Sequence, residues 1–501
     1  MMEEEPFRIH EDARYDMGMD KLSDRDDPAQ TERADDDYEE HDEYDEHDEH
    51  DQQARHDEIG RDIYDGRNHE ADDDPESEST EDEDDTIDTA VQRDMMKLQA
   101  TFPHFREEYR LIKRIGEGTF STVYKAEDLR YDQYVNRWDL DADDGHWTPP
   151  PLKSLSNTNA ASRRPRRKPK FVAIKKIYVT SSPSRIHNEL ELLHDLRDSP
   201  SVCPLITAFR QADQVLVILP YFRHQDFRGY YSKMNTYDTR IYLRSLFTAL
   251  AAVHARGIIH RDIKPTNFLY DPDKKRGVLV DFGLAEREGT DSKPCLCHED
   301  RQVRKQRLQQ SVAFNSVQTG PTPGYPKQDT RPSRRANRAG TRGFRAPEVL
   351  FKCTEQTTKI DIWSAGVILL IILCKRFPFF NSADDIEAMI EIATIFGSKR
   401  MKLAGQLHGC MFDTTIPTIS GQGFSFEKIM LWSTCRSDGG RDGKSSTLTQ
   451  EEKGAIEFLQ RCMDLDPTKR ISAEEGLRHP FLQVEELEPD MDEMDEEVMM
   501  L

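Results

Sequence analysis

The most specific chemistry in this sequence lies in His260-Arg261-Asp262-Ile263-Lys264-Pro265-Thr266-Asn267. A carboxylate at Asp262 can accept the proton of an incoming hydroxyl, and the ammonium of Lys264 can steady a transferred phosphoryl group. Asn267 can offer an oxygen to Mg2+. A polar loop after a helix does not require Asp, Lys and Asn at these offsets. Other stretches are weaker one at a time. In Gly116-Glu117-Gly118-Thr119-Phe120-Ser121-Thr122-Val123 the glycines let backbone N–H groups approach phosphates. A plain hairpin would also use a glycine, and Ser121 stands where such loops usually carry a third one. Lys175, in Val172-Ala173-Ile174-Lys175, can neutralise α- and β-phosphates if a helical carboxylate holds it. Glu189 is the leading partner, and Glu191, two residues on and so on another face, is its rival. Asp281-Phe282-Gly283 supplies a carboxylate to bridge Mg2+ to phosphates. Ala346-Pro347-Glu348 then precedes Asp361-Ile362-Trp363-Ser364-Ala365-Gly366. Each tripeptide is common by chance; their order and spacing are not.

The elements that must position these groups follow from periodicity. Residues 109–115 alternate like a strand, and 123–126 resume it, so the glycines lie on a hairpin. Strands are expected again at 171–177, 215–219 and 278–280. Residues 185–196 place Ile186, Leu190, Leu193 and Leu196 on one helical face. Residues 241–257 carry Leu243, Leu246, Phe247, Leu250 and Val253 at helical spacing and stop at Gly257. Residues 360–373 are apolar nearly all round, as in a helix at the centre of a lobe. Closing helices are expected at 454–463 and 473–479. Three insertions, about 128–170, 287–337 and 400–450, interrupt a small β-rich lobe followed by a larger helical one.

Charge divides the chain. Residues 1–90 carry 39 acids and 8 bases, residues 483–501 carry 9 acids and no base, and 91–482 carry 46 acids and 61 bases. A body of net charge +15 thus lies between acidic ends, within a total of −25. Residues 1–100 and 483–501 read as disordered, because so few apolar residues cannot offset the entropy of ordering like charges. The His and carboxylates of the arm could bind metal, but solvated disorder accounts for the composition. The longest apolar run, 367–374, is too short for a membrane span. The start, Met1-Met2-Glu3-Glu4-Glu5, is acidic where a signal peptide begins basic, and the eight Cys lack disulfide-scaffold spacing. A soluble protein of a reducing intracellular compartment is expected.

Taken together, these motifs resemble the eukaryotic protein kinases over about 109–482, less the insertions. More closely, the chain is similar to the cell-division-cycle-seven family, the catalytic subunits of Dbf4-dependent kinases. That likeness rests on Lys264-Pro265-Thr266-Asn267-Phe268-Leu269-Tyr270, Val280-Asp281-Phe282-Gly283-Leu284-Ala285 and Gly340-Thr341-Arg342-Gly343-Phe344-Arg345-Ala346-Pro347-Glu348. It is supported by Ser184-Arg185-Ile186, Gln356-Thr357-Thr358 and the 62 residues between Gly283 and Ala346. The resemblance implies an α+β, bilobal kinase fold with acidic disordered ends. ATP would lie between the lobes, against Ile115, Gly116, Gly118, Val123, Ala173, Lys175, Leu219 and Tyr221. Leu219-Pro220-Tyr221-Phe222 would be gatekeeper and hinge. Asp262, Lys264, Lys175 and Glu189 would be catalytic, Asn267 and Asp281 would hold Mg2+, and Glu348 would pair with Arg470. Lys264 and Gly340-Thr341 look like a Ser/Thr kinase.

The resemblance further implies a preference for Ser/Thr followed by an acidic or phosphorylated residue. Residues 301–345 supply 11 bases against one acid, and Arg338 and Arg345, flanking Thr341, are candidates to read that +1 position. Bracing of the activation segment by Arg345 is the alternative. The family's activation-segment insertion can hold a zinc knuckle; here Cys295, Cys297 and His298 offer up to three Zn2+ ligands, with no later Cys pair to complete a set and a fourth ligand to come from the partner or a distant His. The expected partners are a Dbf4-type activating subunit and the minichromosome maintenance helicase, with chromatin reached through partners and no membrane. The basic cluster 163–170 reads as a nuclear import signal or nucleic-acid contact, or as a solvated loop, and the nucleus is the expected location. Two rivals stand beside this reading. One is a pseudokinase scaffold, opposed by intact Lys175, Asp262, Asn267 and Asp281. The other is a casein-kinase-like acidophilic enzyme that needs no partner.

Overall fold

Alternating burial along five antiparallel strands builds the first lobe. The computed structural model describes residues 10–11, 88–102, 105–118, 120–134, 136, 169–290, 294–310, 336–436 and 447–483. Most of the acidic arm, the basic cluster at 163–168 and residues 484–501 therefore lie outside the described residues. The strands are β1 (His10–Glu11), β2 (Tyr109–Glu117), β3 (Ser121–Asp128), β4 (Phe171–Ile177), β5 (Thr207–Gln211) and β6 (Gln214–Pro220). They order as β1-β5-β6-β4-β3-β2, with β1 parallel to β5 and every other pair antiparallel. In β3, Thr122, Tyr124 and Ala126 are buried and their neighbours less so, the period-2 signature of a strand with one covered face.

Helix α1 (Thr89–Thr101) precedes the sheet and corrects the expectation of disorder through residue 100. Val91, Met95 and Leu98 form an i, i+4, i+7 stripe and are buried, so this stretch has the apolar face that the acidic composition around it conceals. Helix α2 (Pro183–Asp195) starts with Pro183 in its first turn, where a missing N–H costs nothing, and buries Glu189, Leu190, Leu192 and Leu193.

The second lobe is helical. In α3 (Thr236–His254) the Asn235 side chain accepts from the Asp238 N–H while Asp238 accepts from Asn235, a reciprocal cap that fixes where the helix begins. Its Leu243, Leu246, Phe247, Leu250 and Val253 are all buried, as their spacing predicts. Short strands follow: β7 (Ile258–Ile259), β8 (Phe268–Asp271), β9 (Arg276–Leu279) and β10 (Glu286–Arg287). β8 and β9 form a hairpin, and β10 runs antiparallel to β7.

Two of the expected irregular stretches contain order. The 287–337 insertion holds a turn at Leu296–His298 and α4 (Arg301–Gln310). Helix α5 (Lys359–Cys374) is buried at every residue from 360 to 374, the all-round burial its composition implied. After α6 (Asp385–Phe396), the described part of the 400–450 stretch is not irregular throughout. It contains α7 (Ser398–Leu407) and α8 (Phe426–Ser433), which bury Met401, Ala404, Phe426 and Met430. These helices escape a periodicity reading because they are short. The join into α7 also needs glycines: Gly397 has φ +82°, and a Cβ there would lie 2.4 Å from the Gly423 nitrogen. Helix α9 (Gln450–Cys462) closes the lobe behind a Thr449/Glu452 reciprocal cap. No helix among the described residues is long and apolar enough to cross a membrane.

Candidate active site

Sheet register places the side chains expected to face a nucleotide. Directly opposed residues of antiparallel strands point the same way, so Val123, Lys175 and Val217 share a face. Ala173 and Leu219, opposed to each other and two residues away, share it too. Gly116 pairs with Val123, and the Gly118 N–H donates to the Ser121 carbonyl at 2.9 Å to close the loop. Ile115 is exposed, and Tyr221 packs edge-on against Phe171 at the far end of β4.

Lys175 donates to Glu189 Oε1 at 2.6 Å and to Asp281 Oδ1 at 2.8 Å. The rival Glu191 is exposed and faces His187 at 3.7 Å. Burial alone would push the Lys175 ammonium down, but the Glu189 and Asp281 carboxylates outweigh it and hold it above the usual lysine range. Burial would likewise raise Asp281, yet the adjacent Lys175 ammonium holds its carboxyl at about 2. Asp281 has φ +63°, a costly conformation for a residue with a Cβ. Phe282 is fully buried and meets the His260 ring edge-on at 4.8 Å.

The loop between β7 and β8 is held by α5. Asp361 accepts the backbone N–H groups of His260 at 2.8 Å and Arg261 at 2.9 Å, and meets His254 Nε2 at 3.0 Å. This fixes Asp262. Its Oδ1 accepts from the Thr341 N–H at 2.9 Å and hydroxyl at 2.7 Å, while Oδ2 accepts from Asn267 Nδ2 at 3.0 Å and lies 2.8 Å from Lys264 Nζ. Burial opposes ionisation, but Lys264 and the Thr341 hydroxyl prevail, and the Asp262 carboxyl stays below its ordinary value. An ionised base thus stands beside a cation, with Thr341 between them: Lys264 Nζ also donates to Thr341 Oγ1 at 3.0 Å.

Arg261 (φ +68°) is buried beneath this loop, where it donates to Glu286 and, at 2.6 Å, to Gln356 Oε1. Asn337 donates to Glu286 Oε2 at 2.9 Å, and Gln356 Nε2 donates to the Asn337 carbonyl at 2.7 Å. Gly340 (φ +109°) passes so close that a Cβ would lie 2.4 Å from the Arg261 carbonyl. Glu348 and Arg470 pair as expected, bidentately at 2.6 and 3.0 Å. Arg338 and Arg345 do flank Thr341, and both are engaged by Asp385 of α6.

The cluster that could hold a metal differs from the expected one. Cys295, Cys297, Cys353 and His408 are buried, with ligand atoms within 4.8 Å of one another. His298 is not in the set; it ends a helical turn after Cys297, while Cys353 and His408 arrive from the segment after Ala346-Pro347-Glu348 and from the end of α7. No local spacing links residues so far apart in sequence, so only the fold reveals them. Asp385, Glu286 and Gln356 were missed for the same reason.

A family model described as protein kinase domain matches residues 158–305 and 324–482. The chain is 49% identical over 432 residues, 83% of this chain and 82% of the relative, to the cell cycle serine/threonine-protein kinase hsk1 of Schizosaccharomyces pombe. It is 40% identical to that organism's cell cycle protein kinase spo4, covering 79% of this chain and 90% of the relative. With the human cell division cycle 7-related protein kinase it shares 25% identity over 78% of this chain and 92% of the relative. The chain belongs to the Cdc7 family of protein kinases. As a Cdc7-family enzyme it is a serine/threonine kinase of the cell cycle, using ATP and Mg2+. The donor set suits that hard cation: Asp281 is a carboxylate at the cleft, and Asn267, whose Nδ2 is occupied by Asp262, has its oxygen left to offer.

Proposed function

We propose that this Cdc7-family kinase phosphorylates Ser and Thr in acidic contexts on replication factors, chiefly the minichromosome maintenance helicase, promoting initiation of DNA replication. In this reading it acts in the nucleus, with a Dbf4-type subunit that also brings it to chromatin. Asp262 accepts the proton of the substrate hydroxyl and Lys264 steadies the transferred group. Lys175, positioned by Glu189, holds the α- and β-phosphates; Asn267 and Asp281 would hold Mg2+, which would neutralise charge on the phosphates. The observation that supports catalysis rather than a scaffold is the closed set Glu189–Lys175–Asp281 together with an ionised Asp262. Support for acidic substrates comes from Arg338 and Arg345 beside Thr341. We take 109–482 as the catalytic domain, with strands β2 and β3 included although the family match begins later.

The test is a kinase assay of wild type and Asp262→Asn, each co-expressed with the candidate subunit, on helicase subunits and on paired acidic and neutral peptides. Transfer by wild type alone, favouring acidic peptides, is expected. Equal background from both proteins would leave a scaffold, and full activity of the isolated chain would favour a partner-independent acidophilic kinase.

We also propose that Cys295, Cys297, Cys353 and His408 bind zinc. Ligands about 2.3 Å from a tetrahedral ion stand roughly 3.7 Å apart. Cys297 Sγ lies 3.7 Å from Cys353 Sγ, and Cys295 Sγ lies 3.7 Å from His408 Nδ1. Bound there, zinc would cross-link the activation-segment insertion to the helical lobe. Elemental analysis of the purified protein should return one zinc per chain, and less than a tenth of that in Cys353→Ser; a wild type without zinc ends the proposal.

A further inference from the structure

The basic side of the substrate platform already carries an anion. Asp385, the first residue of α6, accepts from Arg345 Nη1 at 2.6 Å through Oδ1 and from Arg338 Nη1 at 3.0 Å through Oδ2. Arg342 donates to the Ala383 carbonyl just before the same helix. One carboxylate thus spans two guanidinium groups with a third close by, the arrangement an incoming carboxylate or phosphate would adopt. The other acids of this turn are occupied elsewhere: Asp384 caps the N–H groups of Ile386 and Glu387, and Glu387 accepts from the Ala383 N–H. The location matters for chemistry. Arg345 Nε donates to the Gly340 carbonyl at 2.8 Å, and the next residue, Thr341, touches Asp262. The Arg345 side chain is only 15% exposed and Asp385 23%, whereas Arg338 is 52% exposed, so a peptide reaches the cluster from the Arg338 side.

Three arginines and one aspartate sum to a net +2. A side-chain carboxylate that takes the place of Asp385 gains nothing in charge, while a phosphate near neutral pH brings close to two negative charges. We propose that Asp385 is a specificity-determining residue. As resident ligand of the +1 subsite it sets a charge threshold that a phosphorylated residue crosses more easily than Asp or Glu. The inference rests on the acidic-context reading above and names which acidic residue the site prefers.

The test uses the full-length chain with its activating subunit and three peptides that differ only in the residue after the acceptor: Ala, Glu or phosphoserine. In Asp385→Asn the ratio of KM for the Ala peptide to KM for the Glu peptide should rise about fivefold, as expected when a competing charge leaves. The advantage of phosphoserine over Glu should shrink about threefold by the same reasoning. An unchanged phosphoserine advantage, or a rise in KM for both acidic peptides, overturns the proposal; the second result would make Asp385 a positioning residue. If wild type itself does not discriminate among the peptides, the acidic-context reading fails first. Discrimination by wild type that Asp385→Asn leaves intact sinks the Asp385 inference alone. Thermal melting checks the fold, and if Asn melts early, Asp385→Ser, which keeps an oxygen in the first turn, carries the same comparison.

Discussion

Two of the buried cation–carboxylate assemblies among the described residues differ in what they leave open. Glu348 and Arg470 are sealed, with side chains 2% and 0% exposed, and every arginine contact goes to protein. Lys175 and Glu189 are nearly as enclosed, but their third member, Asp281, has a side chain 49% exposed to the cleft. The sealed pair has one job, joining distant parts of the helical lobe. The open one carries charge that ligands can share, since in the proposed function Lys175 and Asp281 are partners for phosphate and metal as well as for each other. Burial by itself therefore does not mark function; an assembly with one exposed member does.

Substitutions can break that contrast. The largest effect is expected next to the open assembly: Asp262→Asn should lower kcat about 10³-fold, close to 4 kcal/mol of transition-state stabilisation, without changing the melting temperature. Glu348→Ala should act oppositely, destabilising the fold by about 3–5 kcal/mol because it strands a buried guanidinium. Urea unfolding checks this, and Glu348→Leu combined with Arg470→Met should recover much of the loss. If the double change is as damaging as the single one, the pair is more than a clasp. Next, Glu189→Gln should cost about tenfold or more in kcat/KM by releasing Lys175, while exposed Glu191→Gln should leave it unchanged. Equal effects from the two would undo the assignment of the partner. The smallest effect concerns pH. Asp281 titrates at about 2 rather than 3.8, so its stabilisation is complete above about pH 4 and fades as pH falls toward 2. Urea midpoints should therefore drop less steeply below pH 4 in Asp281→Asn than in wild type.

Legibility in the sequence followed the range of the interactions. Helix α3 was readable because Leu243, Leu246, Phe247, Leu250 and Val253 repeat at the helical period, and α5 because its burial has no polar side. The proposed catalytic residues were readable because Asp262, Lys264 and Asn267 lie within one loop. Glu189 could be ranked above Glu191 but not chosen until the geometry placed one on Lys175 and the other in solvent. The rest depended on long-range closure. Cys353 and His408 carry no local spacing that ties them to Cys295, and Asp385 reads as an ordinary first-turn acid until α6 brings it to Arg338 and Arg345. Helix α1 was hidden by averaging: three apolar residues on one stripe disappear in a window dominated by acids.

The clasp between Glu348 and Arg470 spans 122 residues of chain. At roughly 5–20 residues per second, the ribosome delivers Arg470 about 6–24 s after Glu348. For all of that interval the carboxylate has no mate, and the largely apolar, wholly buried α5, made only a few residues later, has no finished cavity to enter. The helical lobe is thus obliged to mature late, with its most aggregation-prone segment waiting on nearly the last part of the domain to emerge. A chain cut short before Arg470 would be held at that stage permanently, which makes this lobe a natural client for chaperones during synthesis.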